Sequence, residues 1–252
     1  MGPHSCRREA GPIAEVGLPI RADLKGRLVS RYKRFLADVE TDTGEVITVH
    51  CPNPGSMLGT DRPGSAVRCS TSDNPRRKLR HTLEMIRVGR IWVGLHALRA
   101  NQLVARALSR DAIPELAGYP TVRPEVPAPG GSRLDFRLEG HPRDRRSAFV
   151  EVKSVTLAEG RRGRFPDAIT TRGRRHLGEL QTLHRAGHRA VLLFIVQRAD
   201  CTSVEPADDI DPDYGRALRQ AVGAGVEVIA MRARVRAHEI RLEGKLPLRL
   251  PD

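Results

Sequence analysis

Ala148-Phe149-Val150-Glu151-Val152-Lys153-Ser154-Val155-Thr156-Leu157 is a valine-rich apolar run with a carboxylate and an ammonium set two residues apart in its middle. Its length, β-branched content and polar flanks predict a buried strand. Side chains alternate along a strand, so Glu151 and Lys153 share one face while Val150 and Val152 take the other. Burying two charges is costly unless each is paired or bound to something charged. Lysine is also scarce: of 43 basic residues only five are lysines (Lys25, Lys33, Lys78, Lys153 and Lys245), and Lys153 alone lies in an apolar run. A partly exposed salt bridge would account for the pair, and so would an active site.

Upstream, Ser132 to Glu139 reads as a second strand, with Leu134, Phe136 and Leu138 on one face and Arg133, Asp135 and Arg137 on the other. Thr121 to Pro127 reads as a third, carrying Glu125 and ending at the turn Pro129-Gly130-Gly131. A meander of 121–127, 133–139 and 148–157 brings Asp135, Glu151 and Lys153 onto one sheet face, with Glu125 nearby. Two or three carboxylates offer hard oxygen ligands to Mg²⁺, which keeps some of its waters and binds substrate phosphate. A lysine beside them orients an attacking water or offsets charge on a phosphorus oxygen. The set suits phosphodiester hydrolysis. Asp followed by Glu-x-Lys is a short pattern that strands match by chance, so its weight comes from falling in two successive strands.

Downstream of the first run, Phe165-Pro166-Asp167 breaks the chain and residues 168–186 predict a helix closed by Gly187. Ile169, Leu177, Leu180 and His184 mark its buried side, and Arg172, Arg175, His176 and Glu179 an adjoining stripe. Arg189 to Gln197 is almost wholly apolar and belongs in a sheet centre. A helix over 211–224 and a strand over 226–232 follow, and a helix over 99–110 precedes the meander, with Asn101 at its start as a polar first-turn residue or, as the alternative, a substrate contact. Residues 22–95 read differently, as short strands (Tyr32 to Val39, Glu45 to Val49, Ala66 to Ser70, Leu83 to Val88, Arg90 to Leu95) between Gly/Pro turns. Such strands suit a small barrel. The division expected is a loose tail over 1–21, a barrel over 22–96 and an α/β domain over 97–252.

A formal charge of +13 and a pI near 10.6 point to a polyanionic partner. Arginines cluster at 76–80, 143–146, 161–164, 172–175 and 232–236, and the clusters at 161–164 and 172–175 flank the acidic set in sequence. Aromatic content is only 4%, so binding is expected through arginine and backbone phosphate rather than through extensive base stacking on Tyr32, Phe35 and Trp92. No apolar run approaches the roughly 20 residues that span a bilayer. The first residues lack the apolar core of a secretory signal, and Cys6 breaks the myristoylation pattern, so a cytoplasmic protein without membrane association is expected. Four cysteines without CxxC spacing and nine histidines without paired spacing point away from zinc.

The stretches SRLDF (132–136), FVEVKSVTL (149–157) and FPDAITTRG (165–173), with RYKRFLADV (31–39) and HCPNPGSM (50–57), resemble the sugar fermentation stimulation protein A family. The resemblance runs from about residue 22 to about residue 248. It implies a small N-terminal OB-like β-barrel followed by a PD-(D/E)xK restriction-endonuclease-like α/β domain. It further implies Asp135 as a metal-binding aspartate, Glu151 as second ligand and Lys153 as catalytic lysine, with Glu125 and the Val152 carbonyl as further ligands to one or two Mg²⁺ or Mn²⁺ ions. Tyr32, Lys33 and Arg34 in the barrel, and Arg172, Arg174 and Arg175 in the helix, become candidate nucleic-acid contacts. Two departures stand out: Asn53-Pro54-Gly55 where the family usually has Asn-Thr-Gly, and Thr171 where many relatives carry Glu. The function expected is a DNA-binding protein with a Mg²⁺-dependent nuclease-like site, and homo-oligomers are compatible with it. The alternatives are a non-catalytic DNA-binding regulator of sugar utilisation genes and an RNA- or ribosome-associated binding module.

Overall fold

Seven apolar residues in a row, Ala190 to Val196, can stay dry only in the middle of a sheet, and they lie there in the computed structural model, which describes residues 16–251. In chain order the elements are β1 (Gly17–Pro19), β2 (Leu24–Tyr32), β3 (Leu36–Thr41), β4 (Val46–His50), β5 (Ala66–Thr71), β6 (His81–Val88) and β7 (Ile91–Gly94). Then come α1 (Ala97–Leu108), β8 (Thr121–Pro127), β9 (Arg133–Glu139), β10 (Ala148–Val155), β11 (Ala158–Glu159) and β12 (Arg162–Phe165). The chain continues through α2 (Thr171–Arg185), β13 (Arg189–Val196), β14 (Ser203–Pro206), α3 (Pro212–Gly223), β15 (Glu227–Arg236) and β16 (Glu239–Leu246).

Strands β2 to β6 close a five-stranded barrel. The sheet runs β4-β3-β2-β5-β6-β7, and a parallel bridge between His50 and Thr82 joins β4 to β6. Leu28, Val39, Val49, Met57, Leu83 and Ile86 fill it. Cys51 and Cys69 are buried in the same interior, where desolvation pushes the Cys69 thiol up to about 12. The continuous strand expected over Tyr32 to Val39 is instead the hairpin joining β2 to β3. Lys33 (φ 47°) and Arg34 (φ 65°) both adopt the left-handed conformation that a tight hairpin needs at its central positions. The Arg31 Nη2 donates to the Arg34 carbonyl at 2.8 Å and braces this turn.

The second domain is a seven-stranded sheet in the order β1-β16-β15-β13-β10-β9-β8, with β10, β13 and β15 parallel to one another. One face packs on α1 through Phe136, Val150, Val152, Val191 and Leu193. The other packs on α2 and α3 through Phe149, Leu177, Leu180, Leu192 and Phe194. Leu134 joins this second cluster instead of sharing a face with Phe136 and Leu138, because β9 has left β10 by that point and follows β8 alone. α2 starts at Thr171, later than expected, since the Thr170 hydroxyl caps it by accepting from Gly173 N at 3.0 Å. A small sheet β11-β12-β14 lies beside the main one; its strands are too short to show a periodic pattern in sequence.

Residues 16–21 of the tail expected over 1–21 are structured. Residues 1–15 lie outside the described residues, whereas β1 pairs antiparallel with β16 and Val16, Leu18, Ile20 and Ala22 are buried in the cluster under α1. Among the described residues no helix is long and apolar enough to cross a membrane.

Candidate functional site

The site forms where two strands part. β9 and β10 pair only as far as Phe136 opposite Val150. Beyond that point the Asp135 carboxylate takes the place of a strand partner: Val152 N donates to its Oδ2 at 2.7 Å. On the other side Asn101 Nδ2, from α1, donates to Oδ1 at 2.6 Å. Burial, and then the negative charge of Glu151, push the Asp135 pKa up to about 6, against the hydrogen bonds and the Lys153 charge that work to lower it.

Glu151 is 3% exposed. Its Oε1 accepts from Lys153 Nζ at 2.5 Å and from His176 Nδ1 in a short contact. Burial works to raise its pKa, but the His176 hydrogen bond and the Lys153 charge outweigh that, and the net shift is downward. Its other oxygen, Oε2, is buried with no hydrogen-bond partner. His176, from α2, receives the Arg172 Nε at its Nε2, 3.3 Å away. Arginine can only donate, so Nε2 accepts and the ring proton sits on Nδ1, directed at Glu151. Lys153 Nζ lies 3.3 Å from that same Nδ1, and two donors cannot bond one another, so the ammonium belongs to Glu151.

Asp135, Glu151 and Lys153 open into a cavity of about 430 Å³ that both domains line. From the barrel come Arg34 and the turn Asn53-Pro54-Gly55, and from the second domain residues 165–170 and the start of α2. The domains are fastened at its edge. Met57 N donates to Asp167 Oδ2 at 2.9 Å, and the Ser56 hydroxyl donates to the Asp167 carbonyl in a short bond. A side chain at position 55 would run straight into the Asp167 carboxylate, so this position requires glycine.

Of the other expected residues, Arg172 lines the cavity, as does Val152. Arg34 does too, reached through the left-handed turn at Lys33, which is exposed. Glu125 does not belong to the site: at φ 53° it sits on a bulge between the pairs Pro124–Phe136 and Val126–Leu134, exposed to solvent, so it is corrected as a ligand. Arg174 turns away to α3, donating to Asp211 and Asp213 at 3.2 and 2.8 Å. Arg175 is exposed outside the cavity lining. Tyr32 commits its hydroxyl to Asp38 at 3.0 Å. The cluster at 161–164 is neutralised locally, with Arg162 and Arg164 paired to Glu159, Glu205 and Asp209. Asn101 and His176, read from the sequence only as a first-turn residue or substrate contact and as part of a helix stripe, prove to hold the two carboxylates. The position of His176 four residues after Arg172 on one helix stripe was the signal that could have found it.

Among the described residues no three His, Cys, Asp or Glu side chains are gathered as a metal cage. The donor set is two carboxylates plus backbone. A half-buried carboxylate pushed toward neutrality, beside a buried one with an unpartnered oxygen, is nevertheless a donor set that suits an oxygen-preferring divalent cation.

Comparison with known proteins supports both halves. The family model described as the sugar fermentation stimulation protein RE domain matches residues 98–239, and that of the SfsA N-terminal OB domain matches 29–95. A sugar fermentation stimulation protein homolog of Geobacter sulfurreducens is 51% identical over 223 residues, covering 88% of this chain and 94% of the relative. A homolog from Pelobacter propionicus is 50% identical over 225 residues, covering 89% and 96%. The structure of Pyrococcus furiosus SfsA in complex with Ca²⁺ superposes with a TM-score of 0.82 at 26% identity, over 95% of this chain and 100% of that one.

Proposed function

This chain belongs to the sugar fermentation stimulation protein family, and from that premise we propose that it binds nucleic acid, with DNA the favoured form, and hydrolyses phosphodiester bonds with Mg²⁺ or Mn²⁺ at Asp135 and Glu151. The observation that carries the reading is the unpartnered Glu151 Oε2, buried beside a second carboxylate on the floor of a cavity. Other buried side-chain atoms of the described residues also lack a partner, Glu179 Oε1 among them, but Glu151 Oε2 is the one on a carboxylate that lines this cavity beside a second acid, where a ligand can complete it. The Pyrococcus furiosus protein was solved as a complex with Ca²⁺, which is in keeping with a divalent cation as a ligand of this chain.

The ion, when bound, would supply Lewis acidity toward a phosphoryl oxygen and lower the pKa of a bound water. Asp135 and Glu151 would hold it, with the Val152 carbonyl as a further donor. Asn101 fixes the rotamer of Asp135, and His176 that of Glu151. Lys153 faces the cavity and offsets charge that builds on the phosphoryl oxygens. Arg172 anchors a flanking phosphate. Hydrolysis adds a water oxygen to phosphorus, breaks one P–O ester bond and delivers a proton to the departing oxygen.

A second reading, a non-catalytic DNA-binding regulator, is favoured by the two-carboxylate donor set, with Thr171 offering no third acid. One experiment separates the two. Labelled single- and double-stranded DNA and RNA are incubated with Mg²⁺, Mn²⁺ or chelator, beside Lys153→Ala purified identically. Metal-dependent cleavage lost in the variant is expected. Tight binding without cleavage in either protein would leave the regulator reading.

A further inference from the structure

The cavity carries information about the form of the polymer that enters it. We propose that the substrate reaches the acid cluster as a single strand threaded between the two domains, with Arg34 and Arg172 on its phosphates and Ile169 against an unpaired base. This rests on the phosphodiesterase reading and narrows its substrate class.

Three observations carry it. The first is the roof. The barrel's Asn53-Pro54-Gly55 turn covers the same cavity whose floor holds Asp135, Glu151 and Lys153. That turn is held firmly: Arg31 donates to the carbonyls of Asn53, Gly55 and Ser56 at 3.1, 2.7 and 3.0 Å, and Asp167 grips it from the other domain. About 430 Å³ lies at the low end of the roughly 300–1,000 Å³ that enclose one small ligand. A nucleotide fits such a space and a base-paired duplex does not.

The second is charge placement. Arg34 comes from the barrel and Arg172 from α2, and both line the cavity. Each is tethered through Nε, Arg34 to the Pro54 carbonyl at 2.8 Å and Arg172 to His176 at 3.3 Å. Among the described residues neither arginine's terminal nitrogens hold a hydrogen bond or ion pair, unlike those of Arg162, Arg164 and Arg174. Two tethered guanidinium groups from different domains suit successive phosphates of one strand.

The third is the apolar rim. Ile169, 72% exposed, lines the cavity itself. A duplex hides its bases in the stack, whereas a single strand offers them to apolar side chains.

The test uses the full-length protein and fluorescein-labelled oligonucleotides, a mixed-sequence single strand and a blunt hairpin duplex with the same number of phosphates. Anisotropy is read in chelator, so that binding is measured without cleavage. The single strand is expected to bind at least about tenfold tighter, a difference of the size that base contacts contribute. Arg34→Ala should weaken single-strand binding roughly tenfold and reduce the salt slope by about one. Ile169→Ser, at an exposed position that leaves the domain fastening untouched, should weaken the single strand several-fold and the duplex not at all, and it decides the matter if Arg34→Ala does not fold. Equal or tighter duplex binding, or single-strand binding indifferent to Ile169→Ser, would overturn the inference. Cleavage with Mn²⁺ then separates the two claims: rapid duplex cleavage would sink the single-strand inference alone, and single-strand preference without any cleavage would sink the nuclease reading alone.

Discussion

Two glutamates are buried almost equally in this chain, Glu84 at 2% exposure on β6 and Glu151 at 3% on β10, and each has a cationic partner. Glu84 is complete. Its Oε1 accepts from Ser70 and Arg99 at 2.8 and 2.7 Å, and its Oε2 accepts from Arg99 Nε at 3.0 Å. The bidentate fork ties the barrel to the first helix of the second domain. Glu151 crowds two donors onto one oxygen and leaves the other bare. Burial works to raise both pKa values and the partners bring both down, so titration behaviour alone does not tell them apart. Satisfaction does: the Glu84 pair is complete, whereas Glu151 keeps one buried oxygen without a donor, as the proposed metal site requires.

The strongest way to break this contrast is to neutralise each acid in turn. Glu151→Gln should reduce metal-dependent cleavage by about a thousandfold, the scale of a lost electrostatic contact in an active site. Glu84→Gln should leave the rate per folded molecule unchanged, and single-turnover assays corrected for folded fraction compare the two. Thermal unfolding should reverse the ranking. Glu84→Gln breaks a buried fork and should cost about 3 kcal/mol, a fall of roughly 10 °C for a chain of this size. Glu151→Gln keeps one acceptor for both donors and should shift stability by no more than about 1 kcal/mol.

Metal and pH sharpen the contrast further. The folded pKa of Asp135, about 6, lies above its ordinary 3.8. Its contribution to stability is therefore full below 3.8 and is lost as pH rises through about 6. A divalent cation held by the ionised carboxylates opposes that loss, and protons compete with it. The stabilisation produced by Mn²⁺, read from the rise in Tm, should be near zero at about pH 5 and should grow through about pH 6, reaching about 2–3 kcal/mol at about pH 7.5 with the ion at roughly a hundredfold excess over its Kd. Glu84→Gln should keep this response and Glu151→Gln should lose it. The smallest effect belongs to His176→Gln. Because His176 only orients Glu151, kcat should fall about 10- to 100-fold with KM nearly unchanged, and the Mn²⁺ response should weaken in parallel.

The strand around Glu151 was legible because composition and alternation agreed there, and Asp135 followed from the strand before it. The barrel was legible from its short strands and turns, except where β2 and β3 meet: nothing in Lys33-Arg34 announces a left-handed turn, since neither residue favours it. Glu125, expected as a further ligand because the family resemblance implies an acid on the first strand, sits instead on a bulge, which a single sequence does not announce. Arg164 and Arg174 looked like phosphate contacts in sequence, yet Asp209 and Asp211, which hold them, lie 45 and 37 residues away and meet them only in the folded chain. Asn101 and His176 were hidden in the same manner: each acts through a partner 34 or 25 residues distant.

β1 comes before the barrel in sequence but pairs with β16 and forms the edge of the other domain's sheet. The barrel is thus topologically an insertion, and one side of the α/β sheet is built from two strands, β1 and β16, that lie far apart in the chain. A fragment cut at the apparent boundary near residue 97 would lose Val16, Leu18, Ile20 and Ala22 from its core and present β16 as a bare edge. Exposed edges of that kind recruit other strands. Expression of the second domain alone should therefore yield aggregates, whereas a chain that keeps residues 16–22 joined by a short linker to α1 retains the means to stay monomeric.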